Sequence, residues 1–181
     1  MIKIFRQLYS ASKKEYLLRE ALNKHYPNCS FEQGLIIKGP LKNMKLKKNV
    51  VIQSNVTIHL GGMDWCQNEG SLEIGEDSII SPNVIIYAAG PGGVKVGKNF
   101  GCGPGVKIFS STQDYLQPLN NLLFKPVTLG NHVMLAANVV VSPGVTIGNN
   151  TFVCAGAVVI DDLPDNCLAG GIPAKLIKYI N

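Results

Sequence analysis

No apolar run in this chain approaches the roughly 18 residues a helix needs to cross a bilayer, so stable membrane insertion is not expected. The five cysteines are odd in number and include no CxxC pair, which argues against both a disulfide framework and a zinc site. No nucleic-acid motif is present, and the lysines are not interleaved with aromatic residues, so nucleic acid is not an expected partner. The first residues, MIKIFRQLYSASKK, carry Lys3 and Arg6 inside their apolar part, unlike a secretory leader, and a cytoplasmic protein is expected. Charge is sparse at 16% of 181 residues, but 46% are hydrophobic, enough to build a core. The 19 glycines suit a chain with many turns.

The net charge of +5 is unevenly spread. Residues 1–48 hold 11 of the 17 basic residues and 3 of the 12 acidic ones, a local +8, and the remainder is −3. Such a basic segment suits a phosphate-bearing substrate or an anionic surface, although a solvated helix face has the same composition.

The chain contains a repeat. Leu129, Leu135, Val141, Ile147, Val153 and Val159 stand six apart without a gap. The residue after the first five of these is Gly130, Ala136, Ser142, Gly148 or Cys154, all small. The same template fits Leu46, Ile52 and Ile58, then Ile74, Ile80 and Ile86, then Val96, Cys102 and Ile108. Of these 15 slots, 14 are Ile, Leu or Val, although those types make up only 51 of 181 residues. A period of six matches neither a single strand nor a helix. It fits short strand pieces joined by turns, three to a coil, with coils stacked about 4.8 Å apart. The expectation is an all-β solenoid of about five coils spanning residues 46–164, in which Cys102 packs as a core residue. A helix over 12–26, opened by Ser12 and Glu15, caps a lead-in of residues 1–45. A short helix from Pro173 ends a tail of residues 165–181.

The repeat fails in a pattern. Coil one is interrupted after its third hexad by GGMDWCQNEG, coil two by AAGPGG, and coil three by residues 111–126. Stacking puts all three insertions on one edge, and loops gathered on a rigid scaffold are where function concentrates.

The segments VSPGVTIGNN, AGAVV and GGIPAKLIK resemble the hexapeptide-repeat acyltransferases of the maltose/galactoside O-acetyltransferase and polysaccharide-acetyltransferase kind. The resemblance covers residues 94–180, and the repeat carries it back to 46. It implies a left-handed parallel β-helix and a homotrimer. It also implies acetyl transfer from acetyl-CoA to a sugar acceptor, with sites between subunits, in surface polysaccharide biosynthesis. Carried over motif by motif, the coenzyme contacts fall at Ala137, Ala155, Gly156, Ile160, Lys175 and Lys178. The two lysines suit the CoA phosphates.

The chain departs from the family at Met134, where Trp is common, and at Ala136, where Gly is common. Ile160 and Asp161 replace a polar pair. The sugar O-acetyltransferases place a general-base histidine where this chain has Gln113, which cannot take a proton at neutral pH. FSSTQDY instead resembles a YSSSDDY-like stretch of one polysaccharide-acetyltransferase branch, which leaves Asp114 as an acid in the loop. Asp114 and His132, with Gln113 orienting the acceptor, are the catalytic candidates. His59, Asp64 and Trp65 are candidates for holding the acceptor. A neutral amine needs no prior deprotonation, so O- and N-acetylation both stay open. A non-catalytic trimeric scaffold that has lost the usual histidine is the alternative. A zinc-dependent carbonic anhydrase is excluded, because one of only three histidines, His25, lies outside the repeat.

Overall fold

A computed structural model describes residues 2–116 and 121–180, the first eleven of them by backbone alone. A helix, Ile2–His25, leads into a stack of short parallel strands arranged as a three-faced prism. Each coil contributes one strand to each face. In coil one these are Met44–Leu46 on the third face, Val51–Ile52 on the first and Thr57–His59 on the second.

The anchors fall into register as the period demands. Ile52 pairs with Ile80, Ile80 with Cys102, Cys102 with Leu135, and Leu135 with Val153 on the first face. Ile58, Ile86, Ile108, Val141 and Val159 run down the second face. Leu46, Ile74, Val96, Leu129 and Ile147 run down the third. All but Leu46 are buried. The residue two before each anchor from Leu135 to Val159 (Val133, Val139, Val145, Thr151, Ala157) is also buried, so turns as well as strands feed the core. Together with the family relationship described below, this is a left-handed parallel β-helix of five full coils with a capping helix.

Three features differ from the sequence reading. The strand ladder begins at Ser30, which pairs with Val51, and Ile36–Lys38 pairs with Thr57–His59, so a partial coil lies within the segment read as lead-in. The capping helix starts some ten residues before Ser12, which leaves Glu15 in mid-helix. Its carboxylate accepts the Gly34 N–H at 2.7 Å and ties the helix to the first turn. The expected C-terminal helix is instead a strand, Ala174–Tyr179, antiparallel to Cys167–Gly171. Cys167–Gly171 extends the first face beyond Phe152–Val153 and would otherwise present an unpaired edge. The chain reverses after Gly171 (φ 101°) and covers that edge with a hairpin.

Candidate functional site

All three insertions leave from the corner between the second and third faces. Residues 61–70 follow the strand Thr57–His59, and residues 88–93 follow Ile85–Tyr87. The third forms a hairpin, with Ser111–Gln113 antiparallel to Leu122–Phe124. Its connection lies partly outside the described residues. The Phe124 ring sits over Gly90, where an added Cβ would overlap it, so the hairpin packs on the insertion of the coil before. Ser110 fixes its root. The side chain is fully buried, and its hydroxyl lies 2.9 Å from the Tyr87 carbonyl and 2.8 Å from that of Ala89.

The slot directly after each second-face anchor forms a row along this corner: Lys38, His59, Tyr87, Phe109, Ser142 and Ile160. Where the coils carry insertions, the slot is aromatic. His59 and Tyr87 stack with centroids 5.1 Å apart and planes at 27°, and Tyr87 and Phe109 follow at 5.7 Å. The sequence reading passed over Tyr87 and Phe109. The signal was available, because elsewhere in the repeat the residue after an anchor is mostly small.

His59 is only 3% exposed. Trp65, on the short 3-10 turn Asp64–Cys66, meets its ring edge-on at 5.1 Å and remains 41% exposed. The Gly61 N–H donates to His59 Nδ1 at 3.2 Å. Burial holds the imidazole pKa below its ordinary value, and the Lys38 charge adds to that effect. Asp64 is exposed and accepts from Asn68 Nδ2 at 3.5 Å. The three acceptor candidates therefore stand together. A cleft of about 270 Å³ borders the first two insertions and is lined by Lys42, Asn43, Asn68, Glu69 and the Gly90–Gly92 turn. A larger hollow of about 520 Å³ lies between the helix and the first turn, away from the insertions, and is lined by Glu15, Tyr16 and Arg19.

The catalytic candidates divide. Gln113 is exposed on the hairpin, and Asp114 is half-buried beside it, with Oδ1 accepting the Leu116 N–H at 3.0 Å. His132 is on a different edge, in the turn between third-face Val127–Leu129 and first-face Met134–Leu135. Its φ of 58° fills a left-handed slot taken by Asn49, Asp77, Asn99, Asn150 and Asn166 in the other coils. Within one chain His132 is not brought to Asp114.

The coenzyme candidates also divide. Ala137, Ala155 and Gly156 line the corner between the first and second faces, with Gly156 N–H donating to the Ala137 carbonyl at 2.9 Å. Ile160 lies at the far end of the insertion corner. Lys175 reaches the same end, where its Nζ is 2.7 Å from Asp161 Oδ2. Lys178 is exposed on the last strand, opposite Leu168.

Residues 126–161 match the family model described as bacterial transferase hexapeptide (six repeats). The chain is 29% identical to galactoside O-acetyltransferase of Escherichia coli (strain K12) over 169 residues, which cover 93% of the chain and 70% of that protein. It is 30% identical over 137 residues to the putative acetyltransferase YvoF of Bacillus subtilis (strain 168), covering 74% of the chain and 77% of YvoF. Its fold is shared with the N-acyltransferase AntD from Bacillus cereus, solved in complex with dTDP and 3-hydroxybutyryl-CoA. There the TM-score is 0.71 at 21% identity, over 90% of this chain and 88% of AntD. With its five coils in register and its last two coils inside the matched repeat, the chain belongs to the hexapeptide-repeat acetyltransferase family.

Proposed function

We propose that this protein transfers an acetyl group from acetyl-CoA to a sugar or nucleotide-linked sugar, in surface polysaccharide synthesis. The observation that carries the reading is the shared corner. Three insertions line one edge of coils one to three, and coils four and five continue that edge without interruption through the family-matched segment. The edge is long enough for two substrates end to end, since His59 and Ile160 are four coil steps apart, about 19 Å. Galactoside O-acetyltransferase and the AntD complex supply the substrate classes by relationship.

In this reading, a hydroxyl or amine of the acceptor attacks the thioester carbonyl carbon. The C–S bond breaks, and the CoA thiol leaves with the proton the acceptor gives up. Asp114 takes or relays that proton, Gln113 orients the acceptor, and a backbone N–H near Ala137 faces the oxyanion. His59, Asp64 and Trp65 hold the acceptor. Ala137, Ala155, Gly156, Ile160, Lys175 and Lys178 hold the coenzyme.

The division of these groups between two corners supports sites between copies, as in a homotrimer. One copy's insertion corner laid against the next copy's first–second corner unites Asp114 with Ala137, Ala155 and Gly156. His132, in the turn between the third and first faces, lies outside that pairing of corners. The outward rows favour association. The first face presents Ile79, Met134 and Phe152, between 40% and 49% exposed, while the third presents Lys45, Glu73, Lys95, Thr128 and Thr146.

The test is release of free thiol from acetyl-CoA across a panel of sugars, nucleotide amino sugars and glycan fragments. Acceptor-dependent release is expected. For a hydroxyl acceptor, Asp114→Ala should lower kcat by about 10²–10⁴, the loss expected for a general base, and by less for an amine. CoA binding without release for any acceptor would favour the scaffold alternative.

A further inference from the structure

We infer that His59 is a fixed hydrogen-bond donor that makes the acceptor subsite selective for oxygen over ammonium, a reading that rests on the proposed acyl transfer.

The argument starts from the two ring nitrogens. Nδ1 accepts the Gly61 N–H, so in the neutral imidazole the proton is on Nε2. Nε2 has no hydrogen-bond partner among the described residues, and no buried side-chain nitrogen or oxygen among them lacks one. Nε2 therefore retains a solvent-facing edge although the residue as a whole is 3% exposed. The result is a pinned ring with one N–H directed outward.

Two rings hold that donor in place. Tyr87 covers one face of the imidazole, and Trp65 closes on its edge. Both are supported by the repeat: Tyr87 occupies the equivalent slot of the next coil, and Trp65 rides on a turn closed by the Cys66 thiol, which donates to the Met63 carbonyl at 3.0 Å. A half-exposed indole beside a fixed N–H is a suitable arrangement for a sugar, whose C–H face stacks on the ring while an oxygen meets the donor.

The surroundings exclude two other roles. With Nδ1 engaged and Nε2 protonated, the ring has no free lone pair, so it cannot serve as the base that activates the acceptor. The charged and titratable groups around it are Lys38 in the preceding coil, Tyr87 in the next, and Asp64 and Glu69 in its own insertion. Lys38 is the direct rung neighbour of His59, whereas Asp64 is exposed and already accepts from Asn68. An ammonium group placed at Nε2 would face a donor and a nearby cation. A hydroxyl, ring ether or carboxylate oxygen would be accepted. If the transferred acetyl goes to an amine, that amine lies farther along the edge toward Asp114, and the part of the acceptor at His59 still bears oxygen.

Trp65 is the only tryptophan, so its emission reports this subsite directly and without catalysis. The probes are methyl glycosides of common hexoses, their monodeoxy analogues and the corresponding amino sugars. At least one glycoside should perturb Trp65 emission. Its affinity should fall about tenfold when the contacting oxygen is removed, or when His59→Phe keeps the ring and removes the donor. His59→Gln, which restores an N–H near the Nε2 position, should recover part of the loss. In the transfer assay, His59→Phe should raise the acceptor KM more than it lowers kcat. Unchanged glycoside affinity and unchanged KM in His59→Phe would overturn the inference while leaving acyl transfer standing. Glycoside binding that depends on His59, in a protein that never cleaves acetyl-CoA, would support the subsite and remove the transferase reading. If the variants do not fold, nitrogen NMR of the wild-type ring decides: protonation at Nε2 alone at neutral pH is expected, and protonation at Nδ1 contradicts the proposal.

Discussion

Lys175 and Asp161 form an ion pair, Nζ to Oδ2 2.7 Å, that fastens the C-terminal hairpin to the end of coil five. Both side chains are well exposed, so the pair adds little to stability. Its consequence is that a cation proposed for the coenzyme phosphates is already held at the insertion corner. Changing Lys175 and Lys178 together to Ala should weaken CoA binding by about 1–2 kcal/mol, the range of partly exposed charge-assisted contacts. The melting temperature should hardly move. Asp161→Asn frees Lys175 and should leave CoA binding equal or tighter. Calorimetric titration of the three proteins with CoA checks both statements.

His59 predicts a pH dependence of stability. Its folded-state pKa lies below the ordinary 6.5, through burial first and the Lys38 charge second. Below pH 6.5 the unfolded chain takes up a proton at this site before the folded one does, so acid favours unfolding. The contribution is complete above pH 6.5 and is lost as pH falls from there through the folded-state value. Melting temperatures between pH 7.5 and 5 should decline more steeply for wild type than for His59→Phe. Parallel curves would show that folding does not lower the His59 pKa.

Ser110→Ala should destabilise the protein by about 1–3 kcal/mol, because it leaves the buried Ala89 carbonyl without its hydroxyl partner. The change lies at the root of the hairpin, so the acceptor KM should rise as well. Denaturant unfolding and kinetics of the same variant separate the two effects.

The cysteines should react in the order of their burial. Cys66, Cys102 and Cys167 are buried, and burial raises the Cys102 thiol to about 12, so it stays protonated and packed. Alkylation of the native protein at pH 8, read by peptide mass, should mark Cys29 and Cys154 first. Rapid native labelling of Cys102 would mean that the slot is not a core slot.

The coils were legible because one physical constraint, a side chain pointing into a narrow prism every sixth residue, repeats fifteen times. Cys102 could be assigned to the core on that basis alone, against the usual suspicion of a thiol near a site. The shared edge of the insertions was legible for the same reason. The ends were not. Pro173 and the alternation of Ala174–Tyr179 allow a helix start or a hairpin strand equally, and only the open edge of Cys167–Gly171 decides between them. The corners were also hard to read. His132 stands beside Asp114 among the sequence candidates because six-residue spacing fixes which coil a residue belongs to more firmly than which of three corners it turns. The aromatic row of His59, Tyr87 and Phe109 lay in the sequence as exceptions to a small-residue slot, and became visible only when the coils were stacked.

The central claim is that acyl transfer takes place where the insertion corner of one copy meets the first–second corner of another. Subunit complementation tests it most directly. Asp114→Ala disables the insertion side, and Ala155→Trp fills the coenzyme side at an exposed turn. With a hydroxyl acceptor, each variant alone should be nearly inactive in acceptor-dependent thiol release. Co-expressed under separate tags and purified through both, mixed assemblies contain an intact pairing of unmodified corners and should regain a substantial fraction of wild-type activity. Mixed assemblies as inactive as their parents would contradict a site shared between copies.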